Sequence, residues 1–169
     1  MKIYFHKTLP EKPCFAIVAL SSGIMDDVDH QRGLQVLRDT GCKVISYYQH
    51  ENRFQRFAAS DSERIAQLNA ALDNPEVDVI MALRGGYGLS RILPKIDFNK
   101  IAQSGKLMVG YSDFNALQLA MLAKTGTASL CGPVLCTDFS RASPDHFTLE
   151  DFFQCLRTRQ HRVQFVTDT

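Results

Sequence analysis

Four short runs of strand-forming residues, Cys14 to Leu20, Lys43 to Tyr47, Val77 to Ala82 and Lys106 to Gly110, alternate with segments whose apolar residues recur at helical spacing. Runs this short that are rich in Val, Ile and Phe read as strands, and the intervening periodicity reads as amphipathic helices. One helix is expected over Asp27 to Asp39, where Val28, Leu34, Val36 and Leu37 recur before Gly41, a glycine placed to end it. A polar stretch from Gln49 to Ala59 reads as a loop, and Ser60-Asp61-Ser62-Glu63 then matches the S-x-x-E capping box that opens a helix. Ile65, Leu68, Ala71 and Leu72 continue that helix on one face until Asn74-Pro75 stops it. A short helix carrying Ile92 and Leu93 ends near Pro94, and a last one over Asn115 to Lys124 ends at Gly126. Strands alternating with helices predict right-handed βαβ units, and so an α/β fold with a mainly parallel sheet and helices on both faces. Active groups in such a fold lie beyond the carboxyl ends of the strands.

After Leu130 the pattern weakens. Ser143-Pro144 offers a helix cap followed by proline at the first helical position, predicting a helix that runs to about Arg157. Arg162 to Val166 is strand-like without an obvious partner, an appended edge strand or the sign of a chain cut at a domain boundary.

Length and charge narrow the function classes. The 169 residues suffice for one core, and 45% apolar with 22% charged residues is ordinary globular usage. Lys plus Arg total 19 against 18 Asp plus Glu, which provides no electrostatic footprint for nucleic acid or an anionic membrane. No apolar run is long enough to cross a bilayer, and the N-terminal MKIYFHKTLPEKP lacks the unbroken apolar core of a signal peptide, so the expected location is cytoplasmic. Cys14, Cys42, Cys131, Cys136 and Cys155 form no C-x-x-C pair and point to neither a disulfide framework nor a zinc site; most are expected to be small buried hydrophobes. No cofactor is implied.

Ser112 falls where the fourth strand meets its helix, a junction at which a tight turn can raise a hydroxyl above the sheet with the next backbone N–H beside it. The plainer alternative is a helix N-cap, since serine favours that position and Phe114 replaces the second glycine of G-x-S-x-G. Gly85-Gly86-Tyr87-Gly88 offers mobile backbone N–H groups at another strand end, suited to a phosphate or a developing oxyanion, or else forms only a tight turn. Neither G-x-x-x-x-G-K-[ST] nor a full G-x-G-x-x-G is present. Arg84 and Arg91 could clamp a substrate carboxylate or pair with Asp78, Asp97 or Asp113. His6, His30, His50, His146 and His161 sit in expected loops or polar helix faces as surface residues, and none has a spacing that marks it as a base for Ser112.

Taken together, Glu63 to Leu72, Val77 to Gly88 with its R-G-G-Y-G, Arg91 to Asp97, and Gly110-Tyr111-Ser112-Asp113 resemble the LD-carboxypeptidase (muramoyltetrapeptide carboxypeptidase) family in order and spacing. The resemblance covers about residues 13 to 140. It implies an N-terminal domain similar to class I glutamine amidotransferases (flavodoxin-like), with Ser112 as nucleophile and the backbone N–H groups of Asp113 and Gly86, or alternatively Gly85, as oxyanion hole. Gly85, Tyr87 and Arg84 would line the substrate site. The domain division expected is residues 1–140 as the nucleophile domain and 141–169 as a C-terminal helix and tail leading to a second domain that is missing here. That domain would supply the Glu and His of a Ser-His-Glu triad.

The resemblance implies a metal-independent serine carboxypeptidase of cell-wall recycling that releases the terminal D-alanine of murein tetrapeptides, the isolated chain being inactive. A microcin-immunity-type hydrolase of the same family and a non-catalytic muropeptide-binding module are the alternatives. The family commonly dimerises, so a homodimer is among the expected partners. Two positions depart from the family pattern: Cys131-Gly132-Pro133 stands where His-Gly-Pro is frequent, and Asn115 replaces a common Thr.

Overall fold

A computed structural model describes residues 2–5, 7–158 and 160–164. Five strands, β1 (Cys14–Val18), β2 (Lys43–Ser46), β3 (Val79–Ala82), β4 (Leu107–Gly110) and β5 (Leu130–Cys131), form one sheet in the order β2-β1-β3-β4-β5. Every pairing is parallel, with Ile17 beside Met81, Met81 beside Val109 and Val109 beside Leu130. The crossovers include α1 (Asp27–Asp39), α2 (Asp61–Asp73), α3 (Leu89–Ile92), α4 (Phe98–Ser104) and α5 (Asn115–Thr125), and α6 (His146–Arg157) follows the sheet. This is the α/β architecture expected, in the flavodoxin-like strand order.

Alternation along the strands divides the core in two. Phe15, Ile17, Val79, Met81, Leu107 and Val109 face Leu34 and Leu37 of α1 and Phe152 of α6. Ala16, Val18, Ile80, Ala82 and Met108 face α2, α4 and α5 through Leu68, Phe98, Ile101, Leu117 and Met121. All residues of β1, β3 and β4 are buried, which is why their runs read as continuously apolar. Each fully buried Leu, Ile or Phe side chain stabilises the fold by about 1.5–3 kcal/mol relative to exposure.

The helices start and stop as their caps dictate. The Ser60–Glu63 capping box forms in full, Asp26 caps α1, and Gly126 closes α5 in the left-handed conformation. Several expectations need correction. The third strand begins at Val79: the Val77 amide still closes the turn after α2 on the Asn74 carbonyl, while Asp78 bonds Cys14 and Leu107 where the ladder starts. The helix expected from Ser143-Pro144 starts at His146, capped by the Asp145 carboxylate on the Thr148 amide. Phe98–Ser104 is a helix the periodicity did not announce, although Asp97 caps it and Gly105 ends it at φ +64°. A π-helical turn over Leu135–Phe139 was likewise unannounced.

Of the strand-like Arg162 to Val166, residues 162–164 are irregular and the rest lie outside the described residues, as does His6. His30 is no surface residue but is buried between Asp27 and Ser46. Only Cys14 and Cys42 are buried outright; Cys136 and Cys155 are half-buried and Cys131 is exposed.

Candidate active site

With β1 between β2 and β3, the chain departs from β1 in one direction and returns on the other side, so a crevice opens where β1 and β3 end. Ser21 and Ser22 follow β1, the glycine loop 84–88 follows β3, and Ser112 follows β4 two residues past Gly110. The two loops singled out in the sequence therefore meet on one rim.

Ser112 adopts φ +64°, one of two non-glycine residues with positive φ among the described residues, the other being Gln55. Its side chain makes no capping hydrogen bond, so the N-cap alternative fails; the residue instead opens a 3₁₀ turn over Ser112–Phe114 and is exposed. A left-handed serine costs on the order of 1 kcal/mol or more and persists only where its surroundings fix it. Two contacts do so. Phe114 is buried directly over Gly110, where an added Cβ would lie 2.8 Å from the Phe114 ring. The Asp113 carboxylate accepts the Ser21 hydroxyl at 2.7 Å and the Leu89 amide at 3.0 Å, tying the elbow to the exits of β1 and of the glycine loop.

Gly85 lies against the serine. A Cβ there would stand 2.7 Å from Ser112 Cβ, 2.8 Å from Ser112 Oγ and 3.4 Å from the Asp113 amide nitrogen, so only a glycine leaves room for the hydroxyl. Gly86, at φ +112°, instead abuts Ser22, whose hydroxyl accepts the Tyr87 amide at 3.1 Å. The amides of Gly85, Gly86 and Asp113 donate to no acceptor among the described residues. Unspent N–H groups beside an exposed hydroxyl are what stabilisation of a tetrahedral oxyanion requires.

The remaining sequence candidates divide. Tyr87 is 73% exposed on the glycine loop. Arg84 is half-buried and, among the described residues, its guanidinium donates only a long 3.4 Å bond to the Gly23 carbonyl, pairing with none of the carboxylates considered for it. Arg91 pairs with Asp61 rather than with Asp78, Asp97 or Asp113. Both departures from the family pattern touch each other: the Asn115 side-chain amide lies 3.4 Å from Cys131 Sγ and 2.8 Å from Gln118, which in turn holds the Gly110 and Leu130 carbonyls. With Tyr111, Gly132 and Pro133, Cys131 lines a shallow depression of about 340 Å³ beside the elbow.

No hydrogen bond joins Ser112 to a described histidine. His30 is held by Asp27 at 3.0 Å and Ser46 at 2.8 Å; Ser46 ends β2, three strands from β4, or about 14 Å at the usual spacing. His50 bonds Tyr48, His146 pairs with Glu150 and His161 with Asp151.

Residues 15–132 match the model of the LD-carboxypeptidase N-terminal domain. The chain belongs to that family. The microcin C7 self-immunity protein MccF of Escherichia coli is 31% identical over 138 residues, which are 80% of this chain and 40% of that protein. A crystal structure of muramoyltetrapeptide carboxypeptidase from Oxalobacter formigenes superposes with TM-score 0.75 at 41% identity, covering 82% of this chain and 46% of that one. MccF in complex with glutamyl sulfamoyl guanosine superposes with TM-score 0.86 at 26% identity, over 92% and 48% of the two chains. The chain thus spans less than half the length of these relatives.

Proposed function

We propose that this chain is the nucleophile-bearing part of a serine LD-carboxypeptidase that removes the terminal D-alanine from murein tetrapeptides. Ser112 Oγ attacks the carbonyl carbon of the scissile bond as a base takes its proton. The N–H groups of Asp113 and Gly86, with Gly85 alongside, receive the oxyanion. Collapse of the tetrahedral species expels D-alanine as its amine regains the proton, and water then hydrolyses the acyl-enzyme. Arg84 and Tyr87 meet the substrate on the glycine-loop side, the arginine offering a cation to its terminal carboxylate.

The base is assigned elsewhere. No hydrogen bond joins Ser112 to a described histidine, and this chain covers less than half the length of these relatives, which supports a Glu and a His supplied by a second domain. In this reading residues 1–140 carry the nucleophile and 141–169 lead onward. The observation that carries the proposal is the exposed, left-handed Ser112 seated against Gly85, next to the Asp113 amide and a glycine loop whose Gly85 and Gly86 amides have no acceptor among the described residues.

The test follows D-alanine release from a murein tetrapeptide by the longest polypeptide encoding this chain, by its Ser112→Ala variant and by the 169-residue chain alone. Release by the first and loss in the other two are expected; undiminished release by Ser112→Ala overturns the assignment. A microcin-immunity-type hydrolase acting on an aminoacyl sulfamoyl nucleoside is the second reading, favoured by the broader overlap with MccF. Competition between the two substrates for the same polypeptide separates them.

A further inference from the structure

The largest fully buried side chain belongs to a charged residue that the hydrolytic steps do not use, Arg64 of α2. Its Nη1 donates to two carbonyls from distant parts of the chain, Leu20 just past β1 and Gly88 at the end of the glycine loop, the latter at 3.0 Å. Nη2 binds Asp61 at 2.6 Å, Nε has no partner among the described residues, and the guanidinium lies 4.9 Å from the Phe57 ring centroid. Burying a guanidinium is costly unless its bonds are well made. Helix α2 already has its cap, so stability of the helix alone gives no reason to place the charge there.

The reason emerges one residue further along each segment. Asp113 binds the Ser21 hydroxyl and the Leu89 amide. Arg64 therefore holds the carbonyls of residues 20 and 88 while Asp113 holds donors of residues 21 and 89, and Ser22 receives the amide of residue 87. We infer that Arg64 is a positioning residue: together with Asp113 it stitches the exit of β1 to the exit of the glycine loop, and so sets the distance between that loop's N–H groups and Ser112. Gly88 is the point of adjustment, since a Cβ there would stand 2.6 Å from the Phe57 ring and 3.1 Å from Arg64 Nη1. A lysine at position 64 keeps the charge but cannot fork to two carbonyls and a carboxylate at once.

The inference rests on reading residues 85–88 as the oxyanion loop, and its test is made independent of catalysis. Amide hydrogen exchange is measured in the 169-residue chain carrying Ser112→Ala, with and without Arg64→Lys. Exchange at Tyr87 and Leu89 is expected to rise on the order of ten to a hundredfold, the loss of one buried bond to a charged donor, while strand amides such as Ile80 and Met108 stay within about twofold. Should Arg64→Lys fail to fold, Asp61→Asn, which removes the guanidinium's partly exposed partner, must give the same local pattern at smaller amplitude. A uniform rise at all four amides, or unchanged exchange at Tyr87 and Leu89, overturns the inference. In the hydrolytically active polypeptide Arg64→Lys then lowers kcat by about tenfold or more with KM nearly constant, because a displaced oxyanion donor acts only in the transition state; a rise in KM at constant kcat refutes it. Absence of any hydrolase activity sinks the proposed reaction and leaves the exchange result standing.

Discussion

A methyl group on Gly85 tests the site more sharply than removal of the serine does. The added Cβ would stand 2.7 Å from Ser112 Cβ and 2.8 Å from its Oγ. Carbon atoms in contact prefer about 3.5–4.0 Å, so one side must retreat by about 1 Å. The serine cannot easily retreat, because its turn is anchored by Phe114, buried against Gly110, and by Asp113, which is tied at two points. The glycine loop must give, and overpacking of this kind costs about 1–3 kcal/mol. For a chain of this length each kcal/mol moves the melting temperature by about 2–4 °C, so Gly85→Ala should melt roughly 2–12 °C lower. Gly132→Ala on the same rim is the control: its Cβ would meet nothing closer than 3.4 Å, an ordinary contact, and it should melt with the parent chain. The proposed hydrolytic activity should fall about a hundredfold in Gly85→Ala alone, since a misplacement of 1 Å is enough for that loss. Equal melting temperatures for the two variants by differential scanning calorimetry would refute the steric argument.

Two further outcomes follow from the same geometry. Because Ser112 sits at φ +64°, Ser112→Gly should be more stable than Ser112→Ala by about 0.5–1 kcal/mol, the cost of a Cβ in the left-handed region net of glycine's greater chain entropy; thermal melts of the two variants check it, and an alanine variant equal to glycine contradicts the strained elbow. Iodoacetamide at pH 8 should modify exposed Cys131 first, while Cys136, whose thiol burial pushes up to about 12, stays a protonated and unreactive thiol until the chain unfolds; mass spectrometry of early digests locates the label, and early modification of Cys136 contradicts its burial.

The sheet was legible because its signals are local. In β1, β3 and β4 every side chain is buried, so each strand is spelled out as an unbroken apolar run between turn residues. Helices α1, α2 and α5 carry caps and periodicity within their own segments. Helix α4 escaped notice because seven residues make too few turns to establish a period, and its evidence lies in Asp97 and Gly105 outside its apolar face. Strand β5 has only two residues and is defined by its pairing with Val109 and Gly110. His30 read as a polar helix residue because its partner Ser46 lies on another strand.

The same division runs through the site. Ser112 and the glycine loop announce themselves because the demand on each is local: a hydroxyl at a strand exit, and backbone without side chains where a hydroxyl must fit. Position 64 announces nothing, since within α2 an arginine beside a capping box is an ordinary surface residue of good helix propensity. Its burial depends on carbonyls 44 and 24 residues away in the chain, and both are free only because β1 and β3 end side by side. A hydroxyl can be placed by its own turn, but the spacing between two loops can be fixed only by a group that reaches both. Such groups are charged residues whose spacing looks unremarkable, and a fully buried arginine bound to carbonyls of two loops is the structural sign of one.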